Sequence, residues 1–351
     1  MRAKQIVAWK RVLVGAAILW MGGAGAVSAL PSRGADDIRR AVFAGGSLWV
    51  ASEDGTVRTV SASGQTQAVA VPGETLDICA SAGRVWTVSQ PGADEHQLVL
   101  KQMGAASEGF RFQSPDFVAL SCDAGAVRVV DRNAVFTLTP AGLKTGALSA
   151  PIGYGDMSVL SVGTTLYVGA NRGEFGGGLQ VVDLPTGRVT QIDTATPQSV
   201  CDGLLARKCD AVTGLVASPF HAGCAIATLG VDHFFSTGRI LEVCGTRLRL
   251  VYRQTLDDHG RPAPPPKKSQ MMTRETPFFG VTVAGGKLIA VAKTDVLTIA
   301  QGKAPAFSKI PAMTRAGPFW LHDAGGYILL VTTADAKHSL GGAHAILVPK
   351  G

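Results

Sequence analysis

The chain has 351 residues, of which 46% are hydrophobic, 17% are charged and 43 are glycine. That excludes a disordered chain, which is charge-rich and apolar-poor, and argues against a helical bundle, because Gly and Val-rich runs disfavour helices. The net charge of +7 is concentrated in the first 29 residues, where Arg2, Lys4, Lys10 and Arg11 stand without an acid; the rest carries 29 basic and 26 acidic residues, or +3, too weak a balance to suggest a nucleic-acid partner.

Taken in chain order, the first element is a leader. Residues 1–11 are cationic, 12–21 form an apolar run of ten, and the Gly/Ala-rich segment 22–27 leads to Val27-Ser28-Ala29, with small residues at the −3 and −1 positions. This is the layout of a secretory signal peptide cleaved after Ala29. The alternative, an uncleaved anchor, has too short an apolar run for the ~20 residues a bilayer needs. No other stretch is long enough to span, so no stable membrane span is expected after cleavage.

From residue 41 one pattern recurs: a short apolar strand, a tight turn with Gly or a small residue, and a stronger apolar strand. It is read at 41–52, 76–89, 118–131, 158–170, 215–229, 280–293 and 319–333. Gly in these turns supplies the positive φ that two-residue hairpins demand. Third strands follow at 56–60, 98–102, 135–139, 179–183, 239–243, 296–300 and 345–348. Seven units of 46 residues fill the 322 that follow the leader, and 46 residues match one four-stranded antiparallel blade. The expected fold is all-β: a single seven-bladed β-propeller over 30–351. Six or eight blades, or a β-sandwich, remain alternatives. The seventh unit shows three strands, and its outer strand is expected from about 30–37, closing the edge.

Val181-Val182-Asp183-Leu184-Pro185-Thr186-Gly187-Arg188-Val189 resembles the V-x-D-x-x-T-G-x-V hairpin of lactonase-like and quinoprotein-like bacterial propellers. Leu48-Trp49-Val50-Ala51-Ser52 with Gly55-Thr56-Val57 is similar to the L-W-V signature of secreted propeller repeats. The resemblance covers blades, not a whole chain, and implies fold rather than activity. The tryptophan that quinoprotein blades place after the T-G turn is absent, since Val189 and Thr190 stand there, so no quinone is implied. No cofactor is assigned, although a divalent cation stays open.

In such a blade the loops joining strands two to three, and blade to blade, share one face. That face holds every long insertion: 90–96, 171–178, 194–214, 230–238, 253–279 and 335–342. Binding loops are drawn from such places, so a site is expected there, at the channel mouth. Two loops carry chemistry. In 169–178, glycines surround Asn171, Arg172 and Glu174: Arg172 suits an anion and Glu174 a base or metal ligand, or an Arg172–Glu174 contact merely closes the loop. In 230–235, Asp232 beside His233 suits acid/base work or metal binding, or the pair is only exposed loop. The remaining histidines, His96, His221, His259, His322, His338 and His344, read as structural or solvated. No zinc spacing and no G-x-S-x-G elbow occur. The Pro-rich tract 261–268 reads as a mobile surface insertion or a docking arm.

Six cysteines fit an oxidising compartment. Cys224 and Cys244 flank a hairpin with its loop at 230–238, in a register whose paired numbers sum to 468, so they face each other. Cys201 and Cys209 can close one insertion, leaving Cys79 and Cys122 to staple neighbouring blades. Two functions compete: an exported propeller binding a protein, glycan or small ligand through its loop-rich face, or an enzyme of lyase or lactonase type using Glu174, His233 and Arg172.

Overall fold

In a computed structural model of the chain the described residues are 7–9, 38–61, 65–196, 201, 203–233, 236–264, 274–310, 319–324, 326–332 and 345–350. Six blades are each built from four consecutive antiparallel strands, over 38–69, 74–113, 117–147, 156–192, 212–252 and 278–309. The expected hairpins are all there. The first turns through Gly45 and Gly46 at φ 59° and 78°.

Burial grades across each blade. In the fifth, Ala225–Asp232 is buried at every position but its last, whereas the outer strand Arg247–Tyr252 is largely exposed. The sixth repeats this, with Lys287–Ala292 buried at every position but its first and Ala306–Lys309 exposed at every position. An inner strand covered on both faces reads as an unbroken apolar run, which is why the second strand of each repeat is the stronger signal in the sequence.

The C-terminal repeat is built differently, and here the seven-blade expectation is corrected. Phe319–Ala324, Tyr327–Thr332 and Ala345–Pro349 form three strands, and the outer place beside Ala345–Pro349 is taken by Val7–Trp9 of the leader, paired Val7 to Leu347 and Trp9 to Ala345. Among the described residues this repeat supplies three strands, so they show six self-contained blades plus this composite sheet. Residues 30–37, the expected closing strand, lie outside the described residues, as do the cleavage site and 265–268 of the Pro-rich tract.

The chain divides into two units: Met1–Val129 with Leu138–Leu143 and Ile310–Gly351, and Val130–Thr137 with Lys144–Lys309. In the first, Ala51 and Val57 of the first blade pack with Ile78 of the second, and buried Asp77 binds Arg40 at 3.0 Å and accepts the Leu120 N–H at 2.9 Å. In the second, Leu160, Tyr167 and Leu179 of the fourth blade pack with Ala225, Leu229 and Leu241 of the fifth, and Ile226 and Ile240 with Phe278 and Leu288 of the sixth. Each large side chain so buried contributes about 1.5–3 kcal/mol.

All three disulfides form as expected: Cys79–Cys122, Cys201–Cys209 and Cys224–Cys244. The fifth-blade register pairs Ala225 with Val243, Ala227 with Leu241 and Leu229 with Arg239. The loop of that hairpin is shorter than expected. Strands run on to Asp232 and from Ser236, and Gly230 pairs with Gly238 inside the ladder. These glycines leave room for another stretch of chain, since an added Cβ would overlap the Phe278 carbonyl at 230 and the Thr276 carbonyl at 238.

Candidate functional site

The second unit brings three strand-two-to-three loops to the same end of its blades. In the fourth blade the strand ends at Asn171, one 3-10 turn spans Gly173–Phe175, and the next strand begins at Gly177. Asn171 Oδ1 accepts the Gly173 N–H at 2.8 Å, which fixes the turn. Arg172 donates to the Phe175 carbonyl at 2.8 Å and to the Tyr154 hydroxyl at 3.0 Å, its guanidinium 5.1 Å from that ring's centre. No Arg172–Glu174 pair closes this loop; Glu174 instead crosses to the fifth blade, where its Oε2 lies 2.5 Å from His233 Nδ1. Phe175 and Tyr154 are 70% and 64% exposed, both unusual for aromatics of this size.

Asp232 closes the fifth-blade strand and binds Lys293 Nζ at 2.6 Å. Lys293 and Thr294 form the corresponding loop of the sixth blade, between Lys287–Ala292 and Asp295–Ile299. Asp295 binds Lys309 at 2.9 Å and accepts from the Thr294 hydroxyl at 2.6 Å. Together with Arg274, Pro277 and Phe307 these residues line a groove of about 610 Å³, with His233 on its rim. Of the five residues singled out from the sequence, Asp232 and His233 line the groove, Glu174 reaches it through His233, and Asn171 and Arg172 hold the neighbouring loop. Lys293, Asp295, Phe307, Lys309, Tyr154 and Phe175 were missed. Blade equivalence was the available signal: Lys293-Thr294 stands where Arg172 and His233 stand in their own repeats.

Beneath this loop end lies a buried charge cluster. Arg239, 5% exposed, sits 3.2 Å from Glu275 and 3.4 Å from Asp210, and donates to the Gly203 and Leu204 carbonyls at 2.6 and 3.2 Å. Arg253 also pairs with Glu275. Burial pushes the Asp210 carboxyl up to about 6, against the pull of Arg239 and the Ala206 N–H. Arg239 thus ties Gly203, Leu204 and Asp210 of the insertion to the blade, and Cys201–Cys209 closes a local loop within it.

At the opposite end of the fifth blade Glu242 accepts from Ser218, from His221 at 2.9 Å and from Arg249 at 2.7 Å. Burial raises its pKa, but these bonds outweigh it and hold the carboxyl below its ordinary value. The order is not that of a catalytic triad, because the carboxylate rather than the imidazole is central. Among the described residues no three His, Cys, Asp or Glu side chains converge to hold a metal ion, and no helix is long and apolar enough to cross a membrane.

No protein-family model matches the chain, and no curated protein matches it. Solved structures do. The extracellular domain of BT4673 from B. thetaiotaomicron aligns over 90% of this chain at TM-score 0.52 and 10% identity; the chain spans only 39% of that structure. Virginiamycin B lyase from Staphylococcus aureus aligns over 89% of this chain and 94% of its own at TM-score 0.50 and 10% identity. The AfRom2 CNH domain aligns over 90% and 95% at TM-score 0.50 and 12% identity. The likeness is one of fold: the chain is an all-β propeller of four-stranded antiparallel blades.

Proposed function

We propose that the protein is an exported propeller that binds a polar ligand in the groove between the loops of its fifth and sixth blades. Three disulfides belong to an oxidising compartment, and the leader supplies the export signal. The observation that carries the reading is the groove itself: about 610 Å³, lined by residues from five separate segments, with the ion pairs Asp232–Lys293 and Asp295–Lys309 in its wall. That volume lies in the ordinary range for small-molecule sites, about 300–1,000 Å³. The Asp232–Lys293 and Asp295–Lys309 pairs hold lining side chains in place before a ligand arrives, which limits the ordering cost of binding.

The reading is tested by thermal shift and calorimetry on purified protein with a panel of short peptides, nucleotides, neutral oligosaccharides and uronic oligosaccharides. One class should raise Tm, by the equivalent of about 2.7 kcal/mol at a hundredfold excess over Kd. The Asp232→Ala/Lys293→Ala double variant should lose that shift while keeping its own far-UV spectrum. A shift of equal size in the variant places binding elsewhere.

One contact favours a second reading, an enzyme. Glu174 holds Nδ1 of a histidine that lines the groove, an arrangement that orients an imidazole for acid/base work. In an enzyme, His233→Gln abolishes turnover of the bound ligand and leaves its Kd within about threefold. Unchanged ligand after prolonged incubation with the wild-type protein removes this reading.

A further inference from the structure

Resting on the groove reading, we infer that the ligand is a neutral oligosaccharide. The first ground is charge pairing. Two ammonium groups line the groove, and each already meets a carboxylate: Lys293 with Asp232 at 2.6 Å and Lys309 with Asp295 at 2.9 Å. The rim imidazole likewise meets Glu174. An anion entering here finds cations whose charge is answered at contact distance, and it must also approach three carboxylates. A hydroxyl group finds something better suited: a fixed donor beside a fixed acceptor. Each paired ammonium keeps further N–H bonds to give, and each carboxylate keeps lone pairs. A sugar hydroxyl both gives and takes a hydrogen bond, so it satisfies both without leaving a charge bare.

The second ground is the aromatic wall. Phe307 lines the groove, 41% exposed, on the outer strand of the sixth blade. Tyr252 meets it edge-on, centroids 6.0 Å apart at 63°, and is itself held edge-on by Phe278 at 6.0 Å and 78°. The ring is therefore oriented rather than loose, and a flat apolar face beside paired donors and acceptors matches a pyranose, which has a C–H face and a hydroxyl rim. A groove of about 610 Å³ holds more than one pyranose ring, so the ligand is an oligomer rather than a monosaccharide. Arg274 is the lining cation that donates to a carbonyl, that of Asp258 at 3.2 Å, instead of a carboxylate. An acidic sugar is for that reason the competitor to exclude.

Calorimetry with cellohexaose, maltohexaose, mannohexaose and chitohexaose, against hexagalacturonate, decides between them. At least one neutral hexaose should bind, with Kd within about twofold between 50 and 500 mM NaCl, because no net ion pair forms. Phe307→Leu keeps apolar bulk and removes the ring face, and should weaken binding about three- to tenfold at unchanged Tm. Tighter binding of hexagalacturonate, weakened by salt and by Arg274→Gln, overturns the neutral ligand and leaves the groove reading standing. Absence of binding by every hexaose also overturns the inference, whatever the peptides or nucleotides do. A hexaose that binds equally well to Phe307→Leu and to Asp232→Ala/Lys293→Ala overturns the inference and the groove reading together.

Discussion

His322 sits in the strand Phe319–Ala324, 5% exposed, and its Nδ1 accepts the Ala41 N–H at 3.3 Å. Only a neutral ring can accept there, so Nε2 carries the proton, and it finds no partner among the described residues. Burial first, and nearby Arg40 second, lower its pKa to about 3 from an ordinary 6.5. Between those values the unfolded chain binds a proton that the folded one refuses, so the contribution is present above pH 6.5 and is lost as pH falls toward 3. Asp210 has the opposite sign: its carboxyl is raised to about 6 from 3.8, so its contribution is present below 3.8 and is lost as pH rises through 6. Each slope is at most about 1.4 kcal/mol per pH unit, and the two oppose each other between 3.8 and 6. Chemical denaturation of His322→Gln at pH 4, 5, 6 and 7 should uncover the Asp210 slope: relative to wild type, the variant gains stability as pH falls. Parallel curves for the two proteins would show that His322 titrates normally. From the sequence His322 was one of six undistinguished histidines, because burial of a single ring depends on strands far apart in the chain. The cysteines were legible for the converse reason: Cys224 and Cys244 lie in one hairpin, where counting residues gives the register. The Glu174–His233 contact joins loops 59 residues apart, and no local count reaches it.

At the scale of elements, the hairpins were read almost to the residue, since a turn glycine between two apolar runs is a local signal. The fifth-blade hairpin is the instructive departure. Gly230 and Gly238 look like turn residues in the sequence, yet they pair within the ladder because residues 276–278 pass too close for a Cβ. Glycine serves turns and close approaches alike, and only the neighbouring chain tells them apart. Gly238→Ala should therefore lower stability by about 2–4 kcal/mol through overpacking, measurable as a drop in the urea midpoint, whereas Gly245→Ala, in an open turn with nothing near its Cβ position, carries only the cost of positive φ, about 1 kcal/mol. Equal effects at the two sites would place Gly238 in a turn after all. Arg239 is the other element-scale hinge of the site. Arg239→Met leaves Asp210 and Glu275 buried without their shared cation, at a cost of about 3–5 kcal/mol. It also releases the Gly203 and Leu204 carbonyls, so hydrogen exchange in 203–210 should quicken by more than in 156–171 of the fourth blade. Uniform quickening across both segments would show a global loss of stability and no local anchoring role.

Over the whole molecule, repetition made the architecture legible, and the end of the repetition made it fail. Six units carry all four strands and were countable. The last shows three among the described residues, so its completion rested on which distant segment would pair; Val7–Trp9 takes the outer place, and the expected 30–37 lies outside the described residues. If residues 1–29 are a signal peptide, processing after Ala29 removes that strand. Intact-mass measurement of exported protein should give a chain beginning at Leu30, with the backbone of Ala345–Pro349 lacking its leader partner and open to another strand. A soluble exported chain that retains residues 1–29 would show that the leader is a permanent part of the sheet.

The pairing of Val7–Trp9 with Ala345–Pro349 also imposes an order in time. Val7–Trp9 leaves the ribosome well before its partner strand Ala345–Pro349 is made. At about 5–20 residues per second, roughly 17–70 s separate the two events. Throughout that interval Val7–Trp9 has no sheet to join, so, if residues 1–29 direct export, they stay accessible to the export machinery and synthesis of 345–349 acts as a timer on capture. Pulse-labelled nascent chains should already lack the leader before full-length product appears. A synonymous recoding that slows the final codons should widen that window and increase the exported fraction; an unchanged fraction would mean that leader and sheet never compete.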